Sequence, residues 1–329
     1  MSKDAGDRVS RPVLVCAPLG DRSADAVVEE LGCRGVPVAR LDPGVDFPGG
    51  LTVSARFDAG HGPVVAGVLE TASRRVVLDD VRAVYHRHAT DYGSAFAHLP
   101  VQDALFATAQ ARHGVGGVLA ALSCLQVNHP HASSAASFKP VGLAAALRVG
   151  LTIPPTLITS DPDAARAFAK QHGPIIYKVL RTVRHHDMSD RPLTVWTTAV
   201  DANDIDETVA GTAHLFQARV DSVADLRVTF VGGRMFTARI DSGLLDWRSD
   251  YRTHRYGVVE LPDSVAAAVT RYMRDRHLSY GALDLALTAS GEHVFYECNP
   301  MGQYGWIEAS TGMPISAAIA DLLQNGSPT

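Results

Sequence analysis

Runs of apolar residues along the chain alternate between two periods, one near two residues and one near three and a half. The stretch 12–17 (PVLVCA) is apolar throughout, as in a strand covered on both faces, and 36–41 (VPVARL) repeats the pattern. Between them 25–31 has helical spacing, so the opening reads β–α–β and predicts a small parallel sheet. Short strand-like runs follow over 52–78. A further strand at 81–85 (VRAVY) delivers His86, Arg87 and His88 to a loop, which is either peptide-contacting or merely solvated. The segment 102–122 reads as mostly helical, interrupted by glycines. Pro140 suits the first turn of a helix that Gly150 ends. Ser160 and Asp161 can cap another, which Gly173 stops. Strands are expected at 175–180, 195–200, 213–220, 226–231, 235–240, 282–287 and 293–299, with helices at 264–276 and 315–323. The class is α/β, with an α+β body after the small parallel sheet. A boundary near Asn128-His129-Pro130 and a second before the 213–220 strand divide the chain into 1–128, 129–212 and 213–329.

Composition narrows the partners. The 329 residues are 46% apolar and 20% charged, an ordinary globular mix. A net charge of −5 without any basic run argues against nucleic acid or a polybasic membrane contact. No apolar segment is long enough to span a bilayer, and the polar start MSKDAGDRVSRP lacks a signal-peptide core and reads as a tail. Cys16, Cys33, Cys124 and Cys298 form no C-x-x-C pair, which fits a reduced, cytoplasmic protein.

Strand registers point to chemistry. A tight turn at Ser290-Gly291 places Asp284 opposite Glu297, with Cβ atoms about 5 Å apart. Like charges so placed need compensation, and Asn299 shares their face. Three oxygen donors suit Mg²⁺; the plainer alternative is a solvated acidic strand end. In DLRVTFVGGRMFTARID, matching the apolar sets Leu226, Val228, Phe230 and Phe236, Ala238, Ile240 calls for a three-residue loop. Arg227 then faces Arg239, and Asp225 faces Asp241. Facing guanidiniums suggest a bound phosphate, unless each pairs with a diagonal aspartate. Lys178 interrupts the apolar run IIYKVL, either guarding an edge or pointing into a site. Lys139 stands at a helix start, where a cation is disfavoured unless an anion is present. Together these features describe a Mg²⁺–polyphosphate pocket. The chain has no P-loop and no kinase motif set. Cys298 points away from Glu297 and Asn299, and Trp247 and Trp306 read as packing residues. His185-His186 lacks the spacing of a metal site.

The stretches NHPHASSAASFKPVGLAAALRVGLTIPPTLIT, IIYKVL, FQARV, DLRVTFVGG, DWRSDY, YGALDLAL and FYECNPMGQYGWIE resemble, in order, the ATP-grasp ribosomal peptide maturases, the graspetide or microviridin-type synthetases. The flanking sequence is nearest to actinobacterial members. The resemblance implies an ATP-grasp fold behind a Rossmann-like pre-ATP-grasp domain. It implies ATP and Mg²⁺, and as partner a precursor peptide with leader and core. By the same resemblance Lys139 and Lys178 hold phosphates, Phe216-Gln217-Ala218 offers backbone groups to adenine, and Asp225 lies near the ribose. Arg227 and Arg239 face the transferring phosphate, Arg248 sits beside the acyl group, and Asp284, Glu297 and Asn299 bind the metal. Two features depart from the family pattern. Ala218-Arg219 stands where a hinge glutamate is common, and RTVRHHDMSDRP lacks a glycine-rich loop, leaving Arg181 and Arg184 to substitute or to contact peptide. The implied reaction activates Asp or Glu side chains as acyl phosphates and links them to Thr or Ser hydroxyls or Lys amines, closing macrocycles. A ligase of free amino acids or other small substrates, and a nucleotide-responsive binding module, are the alternatives. A homodimer is expected.

Overall fold

The computed structural model describes residues 11–58, 65–181, 185, 186, 188, 189, 191–250, 252 and 254–326. The N-terminal sheet is parallel, in the order Val38–Leu41, Val13–Cys16, Ala83–His86, Leu125–Val127. Helix Arg22–Cys33 crosses between its first two strands, and Asp21 caps it by accepting from the Ala24 N–H at 2.9 Å. The runs over 52–78 resolve into an antiparallel sheet of Leu51–Arg56, Ala66–Thr71 and Arg75–Val77. A central sheet follows the order Thr198–Val200, Ile175–Lys178, His214–Ala218, Thr156–Thr159. The last is five-stranded and antiparallel: Arg255–Val258, Arg234–Asp241, Ser222–Val231, Tyr280–Thr288, His293–Asn299.

That five-stranded sheet is buried on both faces. One face sets Leu226, Val228, Phe230 and Leu285 against Val269 and Met273 of helix Asp263–Asp275 and Ala146 of helix Lys139–Arg148. The other sets Val231, Phe236 and Ala238 in one core with Val13, Val15 and Tyr85 of the parallel sheet and Ile319 of helix Ile315–Asn325. Each such side chain contributes about 1.5–3 kcal/mol on full burial. The first and last segments therefore share a core.

This double burial decides one register against expectation. Arg227 pairs with Ala238, and Arg239 pairs with Leu226, so the two arginines lie on opposite faces. The loop is two residues, Gly232 and Gly233, with φ of +51° and +93°. Positive φ at both positions is the geometry glycine allows in the tightest hairpins. A loop shorter by one residue slides the register by one and turns every returning side chain over. Likewise Asp225 pairs with Ile240, not Asp241.

The second hairpin keeps its predicted pair by another route. Asp284 stands opposite Glu297, but nearer the tip Leu285 pairs with Phe295, so Tyr296 is an extra residue in a β-bulge. Phe295 and Cys298 enter the core while Tyr296 and Glu297 both line clefts. A bulge permits two neighbours to serve one side. The expected boundary before residue 213 also moves: His214–Ala218 is paired on both sides within the central sheet.

Gly233→Ala forces a Cβ into the positive-φ region and is expected to lower unfolding free energy by about 1–2 kcal/mol, read from the denaturant midpoint at constant m-value.

Candidate active site

The central and five-stranded sheets enclose a cavity of about 220 Å³, lined among others by Lys178, Asp225, Arg248, Asp284 and Tyr296. A second cavity of about 260 Å³, behind Tyr296, is lined by Lys139, Arg181, Glu297 and Asn299. At their junction the opposed carboxylates are compensated from three directions. Arg227 Nη1 donates to Asp284 Oδ1 at 2.8 Å from the neighbouring strand. Arg248 Nη2 donates to Asp284 Oδ2 at 2.9 Å and Glu297 Oε1 at 3.0 Å. The Lys139 ammonium pairs with Glu297, so the anion that excuses a cation at this helix start is Glu297 itself. Burial alone would raise the Glu297 carboxyl; the Lys139 and Arg248 charges outweigh it and hold the group below the ordinary range.

Local structure explains each position. Arg248 rides on the turn Trp247–Ser249, where Asp246 Oδ1 accepts from the Arg248 N–H at 3.1 Å and Oδ2 from the Thr197 N–H at 3.1 Å. The Trp247 ring stacks near Trp306, 5.1 Å between centroids, which fixes the turn. Lys178 is on an interior strand rather than an edge. Its Nζ donates to Gln217 Oε1 at 3.1 Å and lies 4.0 Å from the centre of the Tyr296 ring. Burial pushes Lys178 down to about 8. Burial, and then the neighbouring Asp284 charge, push Asp225 up to about 7.

Some expected contributors stand elsewhere. Arg239, on the far face, pairs with Asp241 at 2.9 Å. Phe216, Gln217 and Ala218 have their backbone committed to ladders on both sides, and the Ala218 and Arg219 N–H groups donate to Pro155 and Pro174 carbonyls at 2.9 Å. Residues 219–222, just beyond, line the cavity instead. Arg184 lies outside the described residues. Cys298 is buried beside Met273, its thiol pushed up to about 12 by burial, and carries no nucleophile's character. Arg87, expected in a loop that contacts peptide or is merely solvated, is instead buried, and Asn128 was expected only as a boundary. Asn128 Nδ2 donates to the Tyr280 and Pro300 carbonyls at 2.8 Å, and its Oδ1 accepts from two N–H groups at 2.9 Å. Its place beside the turn-forming His-Pro was the one visible hint.

No family model matches the chain, and no curated protein matches it. Solved structures do. A Chryseobacterium gregarium RiPP-associated ATP-grasp ligase, solved with ADP and a leader and core peptide, matches with a TM-score of 0.88 at 25% identity, over 97% of this chain and 98% of that one. The macrocyclase MdnC of Microcystis aeruginosa MRC, solved with precursor peptide MdnA, matches with a TM-score of 0.85 at 26% identity, over 96% and 100%. This chain has the ATP-grasp fold, built like these two RiPP enzymes. The ATP-grasp fold also relates it to a Vibrio cholerae D-alanyl-alanine synthetase A, at a TM-score of 0.57 and 13% identity over 96% and 97%.

The donor set of this ATP-grasp site fits a magnesium–nucleotide pair. Two carboxylates meet at one point, Glu297 shares a cavity wall with the Asn299 amide, and hard oxygen donors in small number are what Mg²⁺ takes. Among the described residues no three His, Cys, Asp or Glu side chains cluster as a metal site, and the Asn299 Oδ1 accepts from the Met301 N–H at 3.0 Å. Lys139, Lys178, Arg227 and Arg248 supply cations around the carboxylates, leaving positive charge for phosphates.

Asp225 gives a pH test. Its folded pKa of about 7 lies above the unfolded value near 3.9. The folded state therefore holds the proton more tightly, and the stability this confers is full below about pH 4 and lost as pH rises through 7. Asp225→Asn should gain on wild type between pH 4 and pH 8 by at least about 1 kcal/mol, the worth of one pKa unit, in paired urea unfolding curves.

Proposed function

We propose that this chain is an ADP-forming ligase that activates Asp or Glu side chains of a ribosomal precursor peptide and joins them to Thr or Ser hydroxyls, or Lys amines, of the same peptide. The products are ω-ester or ω-amide macrocycles. The observation that carries the reading is the Asp284–Glu297 pair ringed by Lys139, Arg227 and Arg248, in a chain that follows the Chryseobacterium ligase over 97% of its length. That ligase was solved with ADP and peptide, and MdnC with its precursor, which supports ATP and a leader-and-core peptide as the substrates here.

A carboxylate does not condense with a hydroxyl in water, because oxide is a poor leaving group. Transfer of the γ-phosphoryl group breaks its bond to ADP and forms one to a carboxylate oxygen. The hydroxyl or amine then attacks the acyl carbon, phosphate departs with the carboxylate oxygen, and the nucleophile's proton is released. Magnesium, held by Asp284, Glu297 and Asn299, would neutralise charge on the phosphoryl oxygens. Lys139 and Lys178 orient the phosphates from two sides of Tyr296. Arg227, rigid in the sheet, faces the transferring group, and donors fixed in advance cost no reorganisation when charge develops. Arg248, on its turn, serves the acyl side. Asp225 accepts from the ribose hydroxyls, and the backbone of 219–222 replaces that of Phe216-Gln217-Ala218 at the adenine. In this reading 1–128 braces the site, 129–212 covers the nucleotide and 213–329 carries the metal ligands, with strand His214–Ala218 counted in the cover.

We infer a homodimer, since helix Val101–Ala111 turns Val101, Leu105 and Phe106 to solvent, a face a second copy would cover. All four cysteines are free, which suits the cytoplasm. Among the described residues no helix is long and apolar enough to cross a membrane.

Incubation with ATP, Mg²⁺ and a cognate peptide rich in Thr, Asp and Glu should release ADP and remove the mass of one water per link, read by mass spectrometry. Glu297→Gln should slow this by about 100- to 1,000-fold with the circular-dichroism spectrum unchanged. ADP release on free amino acids without peptide would instead support a small-molecule ligase. Phosphates favour the protonated form of Lys178, so nucleotide binding near pH 8.5 should take up a proton and weaken as pH climbs past 8. Calorimetry in buffers of different ionisation enthalpy checks this, and Lys178→Met should abolish the uptake.

A further inference from the structure

The loop over 300–304 is held on one side by the N-terminal segment and touches the site on the other. Asn128 Nδ2 donates to Pro300 O at 2.8 Å. Arg87 Nη1 donates to Met301 O at 2.5 Å and Gly302 O at 3.1 Å, and its Nη2 to Gln303 Oε1 at 2.5 Å. Ser23 Oγ donates to that same Oε1 at 3.1 Å, and Asp21 balances the guanidinium at 3.6 Å. Arg87 is only 1% exposed, and both its terminal nitrogens are spent on this loop.

The loop's other face meets Arg227. Gln303 O accepts from Arg227 Nη2 at 3.0 Å, while Nη1 of the same guanidinium is on Asp284. A Cβ on Gly302 would come within 2.8 Å of Arg227 Nη2, so the backbone approaches as closely as only glycine allows. Two fixed acceptors, one per terminal nitrogen, set the plane of the Arg227 fork; one acceptor alone would leave it free to rotate. The Gln303 carbonyl keeps its place because Arg87 pins the two carbonyls before it, of Met301 and Gly302, and the Gln303 side chain itself.

We infer that Arg87 is a positioning residue for Arg227, through which the N-terminal segment sets the site's grip on the phosphoryl group beyond ADP. The inference rests on the proposed placement of Arg227 at the transferring phosphate. Arg87 then acts on the terminal phosphate alone, whereas a general structural role would weaken every nucleotide equally.

The test is calorimetric affinity for Mg²⁺–AMPPNP and Mg²⁺–ADP in the full chain. Wild type should prefer AMPPNP, and Arg227→Met should lose that preference. Arg87→Lys, which keeps a charge for Asp21 but cannot span the same acceptors, should lower the preference by about tenfold, the worth of one charge-assisted hydrogen bond. Its ADP affinity should stay within about twofold of wild type. Combining it with Arg227→Met should add no further loss, since both act through one guanidinium. Gln303→Ala removes one Arg87 partner from an exposed side chain and should shift the preference the same way by about threefold, which decides the matter if Arg87→Lys does not fold. An unchanged AMPPNP preference in Arg87→Lys, a parallel fall in both affinities, or multiplying losses in the double variant overturns the positioning role. Wild type failing to bind either nucleotide would sink the ligase reading beneath it.

Discussion

Two carboxylates on neighbouring strands, Asp284 and Glu297, face each other with little water to screen them. At 5 Å and an effective dielectric of 20, such a pair repels by about 3 kcal/mol. The fold tolerates it only because Arg227, Arg248 and Lys139 bring three positive charges against the two negative ones. Deleting one cation would leave a buried charge uncompensated, typically a loss of about 3–5 kcal/mol. Much of the architecture serves this arrangement. One sheet supplies the carboxylates and Arg227, a helix start supplies Lys139, and a turn braced by stacked indoles supplies Arg248.

The cations differ in how firmly they are held. The Arg227 side chain is 7% exposed and tied to the sheet and to the 300–304 loop, whereas that of Arg248 is 37% exposed and sits on a single turn. A guanidinium on a turn can leave its partners at small cost in packing, and one embedded in a sheet cannot. In the proposed reaction, magnesium on the carboxylates would leave Arg248 and Lys139 as the groups able to move onto substrate oxygens, while Arg227 would stay. Charge balance is thus preserved in either state.

Legibility in the sequence followed burial. The Asp284–Glu297 pair was read from an assumed tight turn, and it holds because the bulge at Tyr296 makes up for a turn of different length. The register between Arg227 and Arg239 could not be read, because both faces of that hairpin are covered: Leu226, Val228 and Phe230 enter one core, Phe236 and Ala238 the other. Alternation says where a strand is half-buried, and says nothing about register where it is buried twice. The pairing of strand His214–Ala218 within the central sheet could not be read either, since strand neighbours distant in sequence leave no periodic trace. Arg87 was legible only as part of the His86–His88 loop; its partners are carbonyls more than two hundred residues away. The order of the motifs carried the family resemblance through to the observed fold, and residues 219–222 line the cavity just beyond Phe216-Gln217-Ala218.

The extra residue at Tyr296 separates the hairpin's tip from its functional end. Beyond the bulge, register is dictated by Leu283 and Cys298 settling into the core; before it, by the exposed turn at Ala289–Gly291. Changes of loop length at that tip can accordingly be absorbed before they reach Asp284 and Glu297. The tip is a natural place for lineages to diverge, or for an affinity handle to be grafted, with the chemistry left undisturbed.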